Sequence, residues 1–259
     1  MIASNPLVEF FKRGEVARDV RMLAAQGGFA PRVHEQMAIL VLLLDDPDEE
    51  VRQTADNTLK RLPAEAVAKF LSRPDVSVSL KEFFAGRGIA PAGTAAVDEA
   101  EAPLVDVDVH EAGDEDLLNE DDDPMSVSQK ISKMTFTQRL KAASKGTREM
   151  RAILVRDTNK MIAAAVMSSP KLTEQEVESI SRMAAVSEDV LRMIAHNRAW
   201  LKSYKVVLGL VKNPKTPVAI SMNLLQRVSA KDLTQIAVDR NVPEPLRIAA
   251  RKKTAENRL

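Results

Sequence analysis

An all-helical fold is the expectation for this chain, and three observations carry it. Its 259 residues include only 9 glycines and 9 aromatic side chains, namely 7 Phe with Trp200 and Tyr204. That is too few for the turns and aromatic strands of sandwiches and barrels. Apolar residues make up 45% of the sequence, enough to bury a core, and along most of the chain they recur at spacings of three and four. Helix start signals punctuate the second half: Ser or Thr followed by an acidic residue, or Thr followed by Pro.

At the start of the chain, Met1 to Gly14 has no basic segment ahead of an apolar stretch, and no apolar run anywhere approaches about 18 residues. A cytoplasmic protein with no membrane partner is therefore expected. Val8 to Phe11 and Val16 to Leu23 open with helical patterns. Ala38 to Leu44 is a continuous apolar run that fits either a buried strand or a buried helix, and the residues after it decide between them. Asp45-Asp46-Pro47-Asp48 stops the run. Asp48 can then cap a helix with Glu49 and Glu50 in its first turn and Val51, Ala55, Leu59 and Leu62 along one face. Two antiparallel helices around an acidic turn result. Glu65 to Leu71 and Val78 to Phe84 add short helices, with Phe10, Phe11, Phe70, Phe83 and Phe84 expected in the packing, and Gly86 and Gly88 close a domain at residue 88.

The zero net charge hides a division. Residues 1–88 hold 12 basic and 13 acidic side chains, residues 89–125 hold 0 and 13, and residues 126–259 hold 25 and 11. The middle stretch combines this charge with Pro91, Gly93, Pro103, Gly113 and Pro124, so a disordered acidic linker is expected across 89–125. From residue 126 onward a basic helical domain is expected to run to residue 259. Its boundaries are marked by Thr173 with Glu176, Ser187, Thr216 with Pro217, and Ser229 with Asp232. A weak repeat runs through it. Leu191, Ile194 and Ala195 return 42 positions later as Leu233, Ile236 and Ala237, and Ser169-Pro170-Lys171 returns 44 positions later as Asn213-Pro214-Lys215.

The acidic turn Asp46-Pro47-Asp48-Glu49-Glu50-Val51-Arg52, followed by Ala55 and Leu59, resembles the turn of a HEAT repeat. A period of about 40 to 47 residues in the second half is similar to that of HEAT and armadillo arrays. The resemblance implies two helical modules of the α–α superhelix type, a solenoid in which each repeat packs on its neighbours. It also implies that Asp46 and Arg52 make structural polar contacts between repeats and take no part in catalysis.

Chemistry-bearing motifs are sparse. Cysteine is absent and His occurs 3 times, which excludes disulfide scaffolds, thiolate metal centres, cysteine nucleophiles and histidine-rich metal sites. No phosphate-binding glycine loop, nucleophile elbow or zinc-protease motif occurs. A calcium loop starting at Asp106 would put Glu111 where the sharp turn needs Gly and Leu117 where a bidentate Glu is required. No catalytic, cofactor-binding or metal residue is therefore assigned.

Two clusters are candidates for partner binding. One is Arg198, Trp200, Lys202, Tyr204 and Lys205, where a helix would put the only Trp and the only Tyr on one face. The other is Arg247, Arg251 and Lys252, with Lys253 and Arg258, at the end of the chain. The expected function is a non-enzymatic adaptor or scaffold that binds a protein partner, an acidic one being suited to the basic half. The alternative is a nucleic-acid-binding protein that uses the basic array. In either case the acidic stretch, near residues 98–123, is expected to mask the surface carrying Lys202, Lys205, Arg247 and Arg251.

Overall fold

The computed structural model describes residues 6–29, 31–93, 102–107 and 124–256, except for the side chains of 124–126. Among these residues there are 16 α-helices, two 3-10 turns and no strand. The chain is all-α, and no helix of the described residues is long and apolar enough to cross a membrane. It divides into two compact units. Unit 1 comprises Met1–Leu154 with Ala164–Lys171, and unit 2 comprises Val155–Ala163 with Leu172–Leu259.

Unit 1 begins with α1 (Pro6–Lys12), α2 (Arg18–Gln26), α3 (Val33–Leu42) and α4 (Glu49–Arg61). The apolar run resolves as helix: α3 passes through the 3-10 turn Leu43–Asp45 and stops at extended Asp46. Asp48 then caps α4, its side chain accepting from the Glu50 and Val51 N–H groups. α1 packs on α3, and α2 on α4, burying Leu7, Val20, Leu23, Met37, Leu40, Val51, Ala55 and Leu59. Asp46 is buried in this packing. Its carboxylate lies 2.8 Å from Arg21 Nε on α2, it accepts from the Asp48 N–H, and its carbonyl accepts from Arg52 Nη1. Next come α5 (Ala64–Leu71) and α6 (Val78–Gly86). Phe11, Phe70 and Phe84 are buried, while Phe83 stacks edge-on to Phe84 beneath the Arg87 guanidinium.

Unit 1 continues through α7 (Pro124–Lys133), α8 (Phe136–Lys145) and α9 (Arg148–Leu154), and this corrects the expected domain map of 1–88, 89–125 and 126–259. Residues 126–154 belong with the first helices and not with the last ones. The physical ties are specific. Thr137 Oγ1 donates to Asp19 Oδ2 at 3.1 Å, and the Arg32 N–H donates to the Ser168 carbonyl at 3.0 Å. The chain instead leaves unit 1 after Leu154, re-enters it at Ala164 within α10 (Lys160–Met167) and leaves it again after Lys171.

Unit 2 holds α11 (Glu174–Arg182), α12 (Glu188–His196), α13 (Tyr204–Lys212), α14 (Val218–Leu225), α15 (Ala230–Ile236) and α16 (Glu244–Glu256). Thr173 forms the expected capping box with Glu176, and Ser187 and Ser229 cap α12 and α15. Pro217, expected as the first helical residue, is instead the cap of α14, which begins one residue later at Val218. The residues just before the helices are Thr173, Ser187, Ser203, Pro217, Ser229 and Pro243, spaced 12 to 16 residues apart. The 42-residue recurrence therefore takes α12 to α15, three helices on, where a helix-pair repeat would take it two. α11 packs on α13, and α14 on α16.

The recurring Ser-Pro-Lys and Asn-Pro-Lys turns do the same work in the two units. In unit 1, Ser169 Oγ donates to the Ser144 carbonyl at 2.7 Å and Lys171 Nζ to the Lys145 carbonyl at 2.8 Å. In unit 2, Asn213 Nδ2 donates to the Ser181 and Met183 carbonyls and Lys215 Nζ to the Val186 carbonyl at 3.2 Å. In each turn the polar side chain satisfies carbonyls left open at the end of an earlier helix, and the lysine reaches a carbonyl at that helix end in unit 1 and in the loop after it in unit 2.

Candidate functional site

The site best built for recognition is in unit 1, on residues that sequence reasoning misses. It starts with the end of α2. Gly27 takes φ +82, its N–H bonding to the Ala24 carbonyl and that of Gly28 to Leu23, a left-handed stop that suits glycine. A Cβ at residue 27 would overlap the Val105 side chain, so the bare backbone leaves room for another chain.

Opposite it, Gln36 takes a core position of α3, in helical register with Val33 and Leu40, and is 2% exposed. A buried amide needs partners for its donors and its acceptor. Gln36 finds them in the acidic stretch: Oε1 accepts from Leu104 N–H at 2.7 Å and from Val105 N–H at 3.1 Å, and Nε2 donates to the Val105 carbonyl. The Val107 N–H adds a bond to the Gly27 carbonyl at 3.3 Å. Lys145, the last residue of α8, pairs with the Asp106 carboxylate and reaches the Val107 carbonyl. Lys145 is largely covered, at 13% side-chain exposure, whereas Asp106 is half exposed.

The expected disorder of 89–125 is thereby corrected for the residues that are described. Residues 102–107 lie extended in this cradle, and Ala92 N–H bonds to the Ala68 carbonyl at 3.1 Å. Residues 94–101 and 108–123, the remainder of that expectation, lie outside the described residues. A sequence signal for the cradle did exist. Val105-Asp106-Val107-Asp108-Val109 alternates apolar and acidic residues at the strand period inside an otherwise unpatterned acidic tract, and Gln36 interrupts the apolar face of α3.

The first expected cluster does not assemble as a helical face. Trp200 lies half-buried in a 3-10 turn, Trp200–Lys202, and extended Ser203 separates it from α13, which begins at Tyr204. Trp200 and Tyr204 therefore do not share a helix. Tyr204 Oη donates to Asp232 Oδ2 and accepts from the Ser229 N–H at 3.1 Å, so it completes the cap of α15. The Tyr204 and Ser229 hydroxyls hold the Asp232 carboxyl below its ordinary range. Lys205 approaches Glu178 at 3.6 Å. Arg198 and Lys202 are exposed.

In the second cluster, two side chains reach main-chain carbonyls of earlier helices. Arg251 Nε donates to the Ala237 carbonyl at the end of α15, and Lys253 Nζ to the Leu225 carbonyl at the end of α14. Arg247 is half-buried and Lys252 exposed, and Arg258 lies outside the described residues. Of residues 98–123, which were expected to mask the surface carrying Lys202, Lys205, Arg247 and Arg251, 98–101 and 108–123 lie outside the described residues; Asp106, which is described, pairs with Lys145 in unit 1. Among the described residues, no three His, Asp or Glu side chains gather as a metal-ligating group. Set beside protein-family models, curated proteins and solved structures, the chain finds no match, which leaves its own geometry as the guide to function.

Proposed function

We propose that this protein is a non-enzymatic adaptor that binds partner proteins through extended peptides seated in the Gln36 cradle of unit 1, within stacked helical arrays of the HEAT/armadillo-like kind. The observation that carries the reading is the set of three hydrogen bonds from one buried side chain to the main chain of Leu104 and Val105. Main-chain bonds supply affinity without regard to sequence, and the flanking contacts at Gly27 and Lys145 supply selectivity, which is how folded domains commonly take extended peptides. Helices packed on both sides hold the cradle ready, so ordering cost falls mainly on the peptide.

The reading is tested with the full chain carrying Val105→Asp, which loosens the resident segment without touching the cradle. A fluorescent peptide of the sequence from Glu101 to Val109 is expected to bind it saturably by anisotropy, and Gln36→Ala added to the same chain is expected to abolish that binding. An unchanged signal across the whole titration would end the proposal. The nucleic-acid alternative gains nothing specific from the structure, because Lys215, Arg227, Arg251 and Lys253 of the basic half donate to main-chain carbonyls.

A further inference from the structure

Gln36 sets what can occupy the cradle. When residues 104–105 leave, a carboxamide that is 2% exposed loses its three bonds to Leu104 and Val105 at once. Another extended main chain, presenting two successive N–H groups and a carbonyl, restores the same three bonds. The side chains around it narrow the choice. The residue over Gly27 must lie flat against a bare Cα, as the branched Val105 does. The next residue meets the ammonium group of Lys145, where Asp106 now sits.

Resting on the adaptor reading, we infer that the partner presents an extended peptide in which a branched apolar residue is followed directly by Asp or Glu. The chain's own Leu104-Val105-Asp106 is a resident mimic of that peptide and holds the site closed to it. The mimic belongs to the same chain as its site, and an intramolecular ligand is held at an effective concentration on the order of millimolar. If the resident segment binds its own site with an intrinsic constant of about 10 to 100 micromolar, a partner meets an apparent barrier of about ten- to a hundredfold, whatever its own affinity. The partner opens the cradle by outcompeting the mimic, by local abundance or by a better fit. The mimic's contacts are few enough for this: Asp106 and Val107 are exposed, and Pro103, Leu104 and Val105 only half-buried.

The experiment compares the intact chain with the full-length Val105→Asp variant, both checked for an unchanged melting profile, using the labelled peptide from Glu101 to Val109 as probe. The expected result is binding about ten- to a hundredfold tighter in the variant. In a second arm, Lys145→Glu is added to Val105→Asp. The acidic peptide is then expected to lose affinity, and a peptide with Lys in place of its first Asp to gain it. Equal affinity of the intact and variant chains would overturn the mimic while leaving the adaptor reading standing. A charge swap without effect would overturn the acidic preference. No binding by the opened chain would sink the inference and the adaptor reading together. A concentration-dependent dimer of the intact chain that Val105→Asp dissolves would show a second copy's segment in the site, and would overturn occupancy in cis.

Discussion

At the scale of single residues, charge is used here to fasten turns, and Asp48 shows how. It caps α4 through the Glu50 and Val51 N–H groups while Arg18 Nε reaches its other oxygen at 2.6 Å. The Arg18 hydrogen bond is the largest cause holding the Asp48 carboxyl below its ordinary range, with the capping N–H groups adding to it. A carboxyl lowered on folding contributes stability that is complete above its unfolded value, about 3.9, and is lost as pH falls through the lower folded value. Arg18→Met should therefore lower the melting temperature at pH 7 by a small amount, because the pair is solvated. The gap from the parent should close as both are taken below about pH 3. Melting curves at pH 7, 5, 4 and 3 check this, and a gap independent of pH would show that Arg18 acts by packing alone. Asp48 was legible as a cap because its role is local and four consecutive residues spell it. Gln36 was not, since its partners lie 68 and 69 residues away and no local rule links a lone polar residue on a helix face to them.

At the scale of elements, close approach overrides intrinsic preference in unit 2. Gly209 is in the middle of α13, where Ala would be favoured by about 1 kcal/mol. A Cβ there would run into Ser181 on α11, whose own Cβ would be 3.1 Å away, with Arg182 Cγ at 3.2 Å. Ser181 is fully buried and its hydroxyl is bonded to the Glu178 carbonyl, so it cannot swing aside. Overpacking of this kind costs about 1–3 kcal/mol, more than the helical gain. Gly209→Ala is expected to destabilise by up to about 2 kcal/mol in urea titration once the helical gain is subtracted, and Ser181→Gly in the same chain to recover most of the loss. A Gly209→Ala protein as stable as its parent would mean that α11 and α13 do not meet this closely. The same reasoning explains which elements could be read ahead of the structure. Capped helices at Thr173, Ser187 and Ser229 announce themselves locally. The break at Ser203 that parts Trp200 from Tyr204 has no proline or glycine to mark it, and Ser203 Oγ instead donates to Glu178 Oε1 on α11, a tertiary contact.

At the scale of the whole molecule, charge and composition pointed to a boundary that packing does not respect. Residues 126–154 carry seven basic side chains and one acidic one, which groups them with the basic half by composition. Their apolar faces nevertheless belong to unit 1, with Val127, Leu140, Ala143, Met150 and Leu154 buried and Thr137 bonded to Asp19. Sequence segmentation by charge reads the solvated surface, whereas the compact unit is set by tertiary contacts such as Thr137 to Asp19, 118 residues apart. A fragment of residues 126–259 would therefore keep the helices of unit 2 but leave α7, α8 and α9 without α1–α6. Local opening then requires far less free energy in those three helices than in the full chain. Hydrogen exchange should show the amides of α8 at least about tenfold less protected in the fragment than in the full chain, with α11 and α13 unchanged between the two. Equal protection of α8 in both would establish 126–259 as an independent domain and return the boundary to the acidic stretch.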